Sequence, residues 1–462
     1  MEPRRSSASL SSRNGLKRHH QPGGDVGAGL PVLWKRPTST PRLAAVAVAA
    51  LFSLAITLNG LNNAFGNPLT CIFAAGALLA LTLVWPPDAR FWRARRGPVL
   101  LVAGATCWAL LPVAIPALGD NLLSGGLALS ETLGIAAALC ALLCGSRLGD
   151  RRKNLRMAVD TLILMGCLNA IFGVAMNSFG SAIPLDLWQS RPGVRFTGTL
   201  SNANVAGAYF GMMAALAFAR VLEVRIGRGL EPRELAHAGA YLVALTLLLE
   251  VCFLTGSRSA GAITVAVLLG LGVKAALQKE SGSSQRIIVA AGAIVLFLVM
   301  AAGISDLLVD RLDDAVAGDR SGRLVMWSHY ADLALRSPWF GYGLGSFEAL
   351  NARYLGDPRL AQGLWMVNSA HDLVLQFVLD GGIVYFLLLA GAAALVARSA
   401  VTRAAALHWG HGSDGIIGAI GIVFACSMVD IALDVPGLAC LTTFLAGLLW
   451  MPDRTQGPRR AT

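Results

Sequence analysis

An all-α, polytopic transmembrane bundle of about twelve spans is the fold class this sequence predicts, and three observations predict it. Of 462 residues, 55% are hydrophobic and only 14% charged, with a mean hydropathy of +0.60. A soluble globular domain carries about 25% charged residues. Apolar stretches close to the roughly 20 residues that a membrane span needs recur along most of the chain. Those stretches are continuous instead of alternating, which excludes a transmembrane β-barrel.

Residues 1–42 are rich in Ser, Gly, Pro and Arg without periodicity, and read as a disordered tail. No cleavable signal peptide is expected, because the first apolar segment begins only near Leu43 and reads as a retained span. The expected spans are 43–61, 69–85, 98–118, 122–144, 157–178, 203–222, 236–255, 259–277, 286–304, 371–397, 413–431 and 435–451. An even number puts both termini on one side. Residues 43–451 thus form the membrane domain, with a loop at 305–369 too long for a mere connector, and 452–462 form a second tail. Within the loop, SGRLVMWSHYADLALRS reads as an amphipathic helix capped by Ser321 and stopped at Pro338. Its expected apolar stripe is Leu324, Trp327, Ala331 and Leu335.

Charge sets the orientation. With the N-terminus in the cytoplasm, 29 of the 38 Lys and Arg residues fall on that side, in loops such as PPDARFWRARRG and GSRLGDRRKNLR. The positive-inside rule is then met at nearly every short loop, and both termini are expected to be cytoplasmic. This topology also accounts for the formal charge of +11, so no nucleic-acid partner is expected. The nine basic residues left outside are all arginines: Arg191, Arg195, Arg258, Arg311, Arg320, Arg323, Arg336, Arg353 and Arg359. A guanidinium fork suits phosphate and carboxylate, so the cluster invites an anionic ligand. For Arg311, Arg353 and Arg359, pairing with acids of the same loop is the preferred reading.

Of seven histidines, only His329 and His371 lie outside. His329 on the loop helix reads as a surface or packing residue. His371, where the loop enters the tenth span, can face both water and a cavity, and reads as a functional residue. Arg258 sits in LTGSRSAG, a tight outer hairpin, where it could meet a lipid-linked phosphate or snorkel to headgroups. Arg195 precedes FTGTLSNAN, in which Asn202 and Asn204 read as helix caps. Acids within spans, Glu131, Asp160, Glu250, Asp380 and Asp430, are functional candidates by default and the only support for a proton-coupled transporter. By helical rise, Asp380 would lie about 13 Å deeper than His371. The eight cysteines all fall in apolar stretches and read as small buried residues rather than disulfides or metal ligands. There is no Walker loop, no D-x-D pair in the long loop and no H-E-x-x-H pattern, so no metal or cofactor is expected. GYGLG at 341–345 is a glycine-rich turn on the wrong side for nucleotide.

Four landmarks between about 190 and 390 resemble the O-antigen ligase and polymerase superfamily of bacterial inner-membrane glycosyltransferases. RFTGTLSNAN resembles the family's Arg-Gly-Asn segment before a span, and GSRSAG its S-R-S turn. R-x-x-x-W at Arg323 to Trp327, followed by SPWFGYGLGSF, resembles its loop helix and glycine turn. HDLVLQFVLDGG resembles the ligase motif H-[NSQ]-x-x-L-x-x-x-x-x-x-G, with His371, Leu375 and Gly382 in register. Asp372 departs from it, standing where Asn, Ser or Gln is usual.

The resemblance implies a multi-pass protein of the bacterial inner membrane with a periplasmic site. It implies a glycan donor on undecaprenyl diphosphate and transfer to an acceptor hydroxyl, without metal or nucleotide. The acceptor would be lipid A core in lipopolysaccharide assembly, or a growing polysaccharide. Arg195 and Arg258, with Arg191 or Arg323, would bind the diphosphate. His371 would take the hydroxyl proton or orient the hydroxyl, and Asp372 would assist or simply cap the tenth helix. The alternative to ligation is polymerisation of O-antigen or exopolysaccharide at the same site; from another class, the alternative is a polysaccharide-lipid transporter or flippase.

Overall fold

Helices follow from long apolar runs whose ends carry side-chain caps. The computed structural model describes residues 40–63, 65–149, 151–179, 195–223, 232–277, 319–365, 367–406 and 411–450. Within them lie α1 (Thr40–Thr57), α2 (Gly66–Val84), α3 (Ala89–Ala114), α4 (Gly125–Leu148), α5 (Arg152–Phe179), α6 (Ala203–Glu223) and α7 (Pro232–Leu254). After α8 (Arg258–Leu277) come three loop helices, α9 (Asp319–Arg336), α10 (Phe347–Tyr354) and α11 (Pro358–Leu364). The chain closes with α12 (Leu373–Ala406), α13 (His411–Ser427) and α14 (Pro436–Leu449). No strand occurs among the described residues. The Asp88 carboxylate accepts the Phe91 N–H at the start of α3 (2.8 Å), and Ser124 Oγ accepts the Leu127 N–H at the start of α4 (3.3 Å).

Eight helices, α2 to α8 and α12, are long and apolar enough to cross a membrane, and α1, α13 and α14 are shorter apolar helices. The protein is a multi-pass membrane protein. Eleven of the twelve expected spans thus coincide with apolar helices, and the other, 286–304, lies outside the described residues. The 305–318 part of the long loop lies outside them too.

Helix α6 is the centre of the bundle, buried along nearly its whole length. Its small residues let α7, α8 and α13 approach closely. Elsewhere α4 and α14 cross so tightly that a Cβ at Gly447 would meet the Leu142 carbonyl oxygen at 2.1 Å.

Pairings at the helix ends fix which end of the bundle each residue occupies. Lys274, near the end of α8, pairs with Asp414 at the start of α13 (2.6 Å). At the same far end, three arginines satisfy the carbonyls that helix C-termini leave unpaired. Arg95 reaches Ser146 and Trp450, Arg147 reaches Trp85, and buried Arg403 reaches Leu448 (3.0 Å) and Gly149 (2.5 Å). His371, before α12, instead meets Asp430, beyond the other end of α13. The end of α8 and the start of α12 therefore lie at opposite ends of the bundle.

The loop helices form a core of their own against the first turns of α12, from Met326, Tyr330, Leu333, Tyr342, Phe347 and Leu379 among others. This corrects the expected stripe of α9. Tyr330 is fully buried, whereas Leu324 and Leu335 are exposed. A tyrosine reads as polar in sequence, but its hydroxyl donates to Asn351 Oδ1 at 2.7 Å, and so satisfied it turns inward. The helix also begins at Asp319, two residues before the expected Ser321 cap, and ends before Pro338 as expected.

Candidate functional site

The site grows from a break in α12. Gly382 adopts φ 78° and ψ 178°, and a Cβ there would meet the Trp339 carbonyl oxygen at 2.0 Å. Residues 373–381, Asp380 among them, thus form a helical piece distinct from the rest of α12. The glycine turn clamps that piece: Tyr342 N–H donates to Leu379 O (2.7 Å) and Gly343 N–H to Asp380 O (3.1 Å). What looked like a weak nucleotide motif is a structural bracket.

His371 lies just before this piece, half-buried, with φ 51°, a conformation unusual for a residue with a side chain. Both neighbours hold it there. Ala370 N–H donates to Gln376 Oε1 (2.9 Å), and Asp372 Oδ1 accepts the Leu375 N–H (2.8 Å). Asp372 therefore caps α12. Aspartate is among the strongest N-cap residues.

Turn-like backbone at 428–431, followed by a short 3-10 turn at Ala432–Asp434, joins α13 to α14 and delivers the partner of His371. Asp430, almost fully buried, places Oδ1 3.3 Å from His371 Nδ1. The same carboxylate accepts Ile431 N–H (2.9 Å) and Asn204 Nδ2 (2.5 Å). Asn204 Oδ1 in turn accepts Arg195 Nη2 (2.8 Å), while Arg195 Nε donates to the Thr255 carbonyl (3.0 Å). Thr255 belongs to the turn that carries Arg258, which is exposed at the first position of α8. Ser257 Oγ accepts the Ala260 N–H there (3.4 Å). One polar chain thus joins Arg258's turn, Arg195, Asn204, Asp430 and His371, drawn from four separate regions of the sequence.

Expected residues divide accordingly. Arg195 and His371 are brought together through two intervening side chains, and Arg258 adjoins through its turn. Arg191 lies outside the described residues, as does the side chain of Arg323, whose backbone is in α9. Asn202 is a cap as expected, accepting Asn204 N–H (2.7 Å) and Val205 N–H (3.3 Å). Asn204 is not: it bridges Arg195 to Asp430. Among the other acids expected in spans, Asp160 pairs with Arg220 (2.8 Å) and Tyr241 (2.9 Å). Glu131 accepts from Asn67 (2.7 Å), and Asp380 accepts from Gln376. His329 packs edge-on against Tyr330, and burial holds its pKa below the ordinary value, with Arg336 adding to the shift.

Residues 242–390 match the family model described as O-antigen ligase. Over that segment, about a third of its length, the chain is similar to O-antigen ligases. The family implies a ligase- or polymerase-type membrane glycosyltransferase acting on polysaccharide and lipid-linked substrates. The matched segment contains Arg258, Arg323, His371 and Asp372, while Arg195, Asn204 and Asp430 lie beyond it. No curated protein matches the chain.

Two residues escaped sequence reasoning. Asp430 carried a signal, as an acid in an apolar stretch, but it pointed to proton transport and not to a histidine 59 positions earlier. Asn204 carried a misleading one, because two asparagines at a helix start look equally like caps.

Proposed function

We propose that the protein transfers a glycan from undecaprenyl diphosphate to an acceptor hydroxyl at the periplasmic face of the bacterial inner membrane. The observation that carries this reading is the chain from Arg195 through Asn204 and Asp430 to His371. It sets anion-binding chemistry and acid–base chemistry side by side.

Arg195 and Arg258 bind the diphosphate, and their fixed charge grows in effect as negative charge collects on the leaving oxygen. The acceptor oxygen attacks the anomeric carbon. The bond from that carbon to the diphosphate oxygen breaks, and its electron pair leaves with the lipid diphosphate. The acceptor's proton passes to His371 Nε2. Asp430 supports this by holding Nδ1 in its protonated form, which leaves Nε2 able to accept, and by stabilising the imidazolium that results. In this reading guanidinium groups supply the positive charge, and assay in chelator tests that no metal is needed.

Ligation to lipid A core is our first reading, because the His371 motif resembles that of ligases; polymerisation uses the same atoms with a lipid-linked acceptor. Gene deletion separates them, since loss of a ligase leaves long polymer on the carrier and loss of a polymerase leaves single units. For the chemistry, purified protein in nanodiscs with lipid-linked glycan and acceptor should form product, and His371→Ala and Arg258→Ala should lose it. Product undiminished in both variants overturns the assignment. Activity that survives His371→Ala but vanishes on neutralising Asp380 or Glu250 would point to a transporter.

A further inference from the structure

At the same end of the bundle as His371, a second feature is built. The segment joining α3 to α4 faces the turn after α9 across a cleft of about 200 Å³ open to one side. That is smaller than a drug-sized pocket, and suits a sugar ring better than a whole oligosaccharide. Pro112, Leu118, Leu122, Trp339 and Phe340 supply its apolar lining, and Trp339 is 62% exposed. Besides Ser337, three polar side chains line it: Asp120, Asn121 and Arg336. None of the three has a hydrogen bond or ion pair with another described residue. Opposite charges that share a cleft without meeting leave room for something with several hydroxyls between them.

The frame is rigid, as a binding site requires. Trp108 Nε1 donates to the Trp339 carbonyl (2.9 Å), and the Trp108 and Phe340 rings stack at 4.7 Å. Ser337 Oγ donates to Gly341 O (2.6 Å), and Leu123 N–H to Tyr342 O (3.0 Å). The turn is further pinned to α12 at Leu379 and Asp380, in the helical piece that directly follows His371.

We propose that this cleft is a saccharide subsite, in which one ring of the glycan lies on Trp339 with its hydroxyls on Asp120, Asn121 and Arg336. A pyranose has an apolar C–H face and a polar rim, and the cleft presents the complement of both. The proposal deepens the transferase reading and rests on it. The ring can belong to the donor or to the acceptor, since the recognition chemistry is shared. The competing role for an exposed tryptophan here is an interfacial anchor, which would touch headgroups and not sugar.

The experiment uses full-length protein in nanodiscs carrying His371→Ala, so that nothing turns over. Two probes are titrated by calorimetry: lipid-free repeat-unit oligosaccharide and lipid-free core oligosaccharide, both released from the producing cells. One of them should bind, which identifies donor or acceptor. Arg336→Ala, Asp120→Asn and Trp339→Ala should each weaken it at least tenfold. The first two alter exposed, unpartnered side chains, so the fold should survive them. Binding of neither probe, or binding unchanged in all three variants, overturns the subsite. The two failures are distinguishable. Saccharide binding without transfer by the unmutated protein rejects the transferase reading alone, and transfer with indifferent cleft variants rejects the subsite alone.

Discussion

Replacing Asp430 by Asn tests the site most sharply, because the hydrogen bonds around it have a fixed direction. Arginine can only donate, so Asn204 must present Oδ1 to Arg195 and Nδ2 to residue 430. Residue 430 must then offer an acceptor on that side. A carboxylate can do so and still accept Ile431 N–H and face His371 with its other oxygen. An amide cannot. Its oxygen is taken by Asn204, so its N–H₂ faces both Ile431 N–H and His371 Nδ1. The imidazole responds by moving its proton to Nε2, which can then no longer receive one from the acceptor hydroxyl. Losing a general base removes about 10²–10⁴ in rate. The stranded Ile431 N–H adds a stability loss of about 1–3 kcal/mol. Asp430→Asn should therefore lower kcat for glycan transfer by two to four orders of magnitude, with the donor KM little changed. Transfer kinetics in nanodiscs, with thermal unfolding as a control for folding, measure both. A kcat within about threefold of the unmutated protein, while His371→Ala is dead, would refute the argument.

Three further outcomes follow from individual contacts. His371→Gly should be more stable than His371→Ala by about 1–2 kcal/mol, reversing the usual order, because φ 51° strains any residue with a Cβ; both lack the imidazole, so thermal unfolding isolates the backbone. Arg403→Ala should cost roughly 3 kcal/mol by stranding the Leu448 and Gly149 carbonyls, with Arg403→Lys recovering part and transfer per folded molecule unchanged. His329 has its pKa lowered on folding, so the unfolded chain binds the extra proton first and stability falls as pH drops through about 6.5. His329→Gln should flatten that part of the pH–stability curve, measured by unfolding between pH 5 and pH 8.

Helix positions were legible because an uninterrupted apolar run of span length has few alternatives to a helix, and the described apolar helices fall where the runs do. The ends were less so. The stretch expected as one span at 413–431 stops at Ser427, and the backbone beyond it is irregular. Non-helical backbone between two apolar helices is tolerated where it is buried in protein or lines a cavity. Here it carries Asp430, so the element that periodicity misjudged is the one that completes the site. The histidine and two arginines were legible as short motifs. Their coupling was not, since it depends on Asn204 and Asp430 meeting across 226 positions of sequence. The α9 face was misread for a related reason: whether Tyr330 turns inward depends on Asn351, and no local pattern announces that bond.

The directional lock has a consequence that reaches Arg195. If that arginine is what fixes the Asn204 amide, removing it frees the amide to turn. In Arg195→Ala, Asn204 can present its oxygen to residue 430, and an asparagine at 430 can then present its own oxygen to Ile431 and His371. The histidine recovers a protonated Nδ1 and a free Nε2. Arg195→Ala alone should slow transfer, because it weakens the hold on the diphosphate. Yet the additional loss from Asp430→Asn should be at least tenfold smaller in that background than in the unmutated protein. A merely structural role for either residue predicts independent, multiplicative losses, or a collapse of folding that thermal unfolding would reveal. The four kcat values of this double-mutant cycle decide between them. Strict multiplicativity would mean that Arg195 and His371 are neighbours without communicating, and the polar chain between them would lose its place in the mechanism.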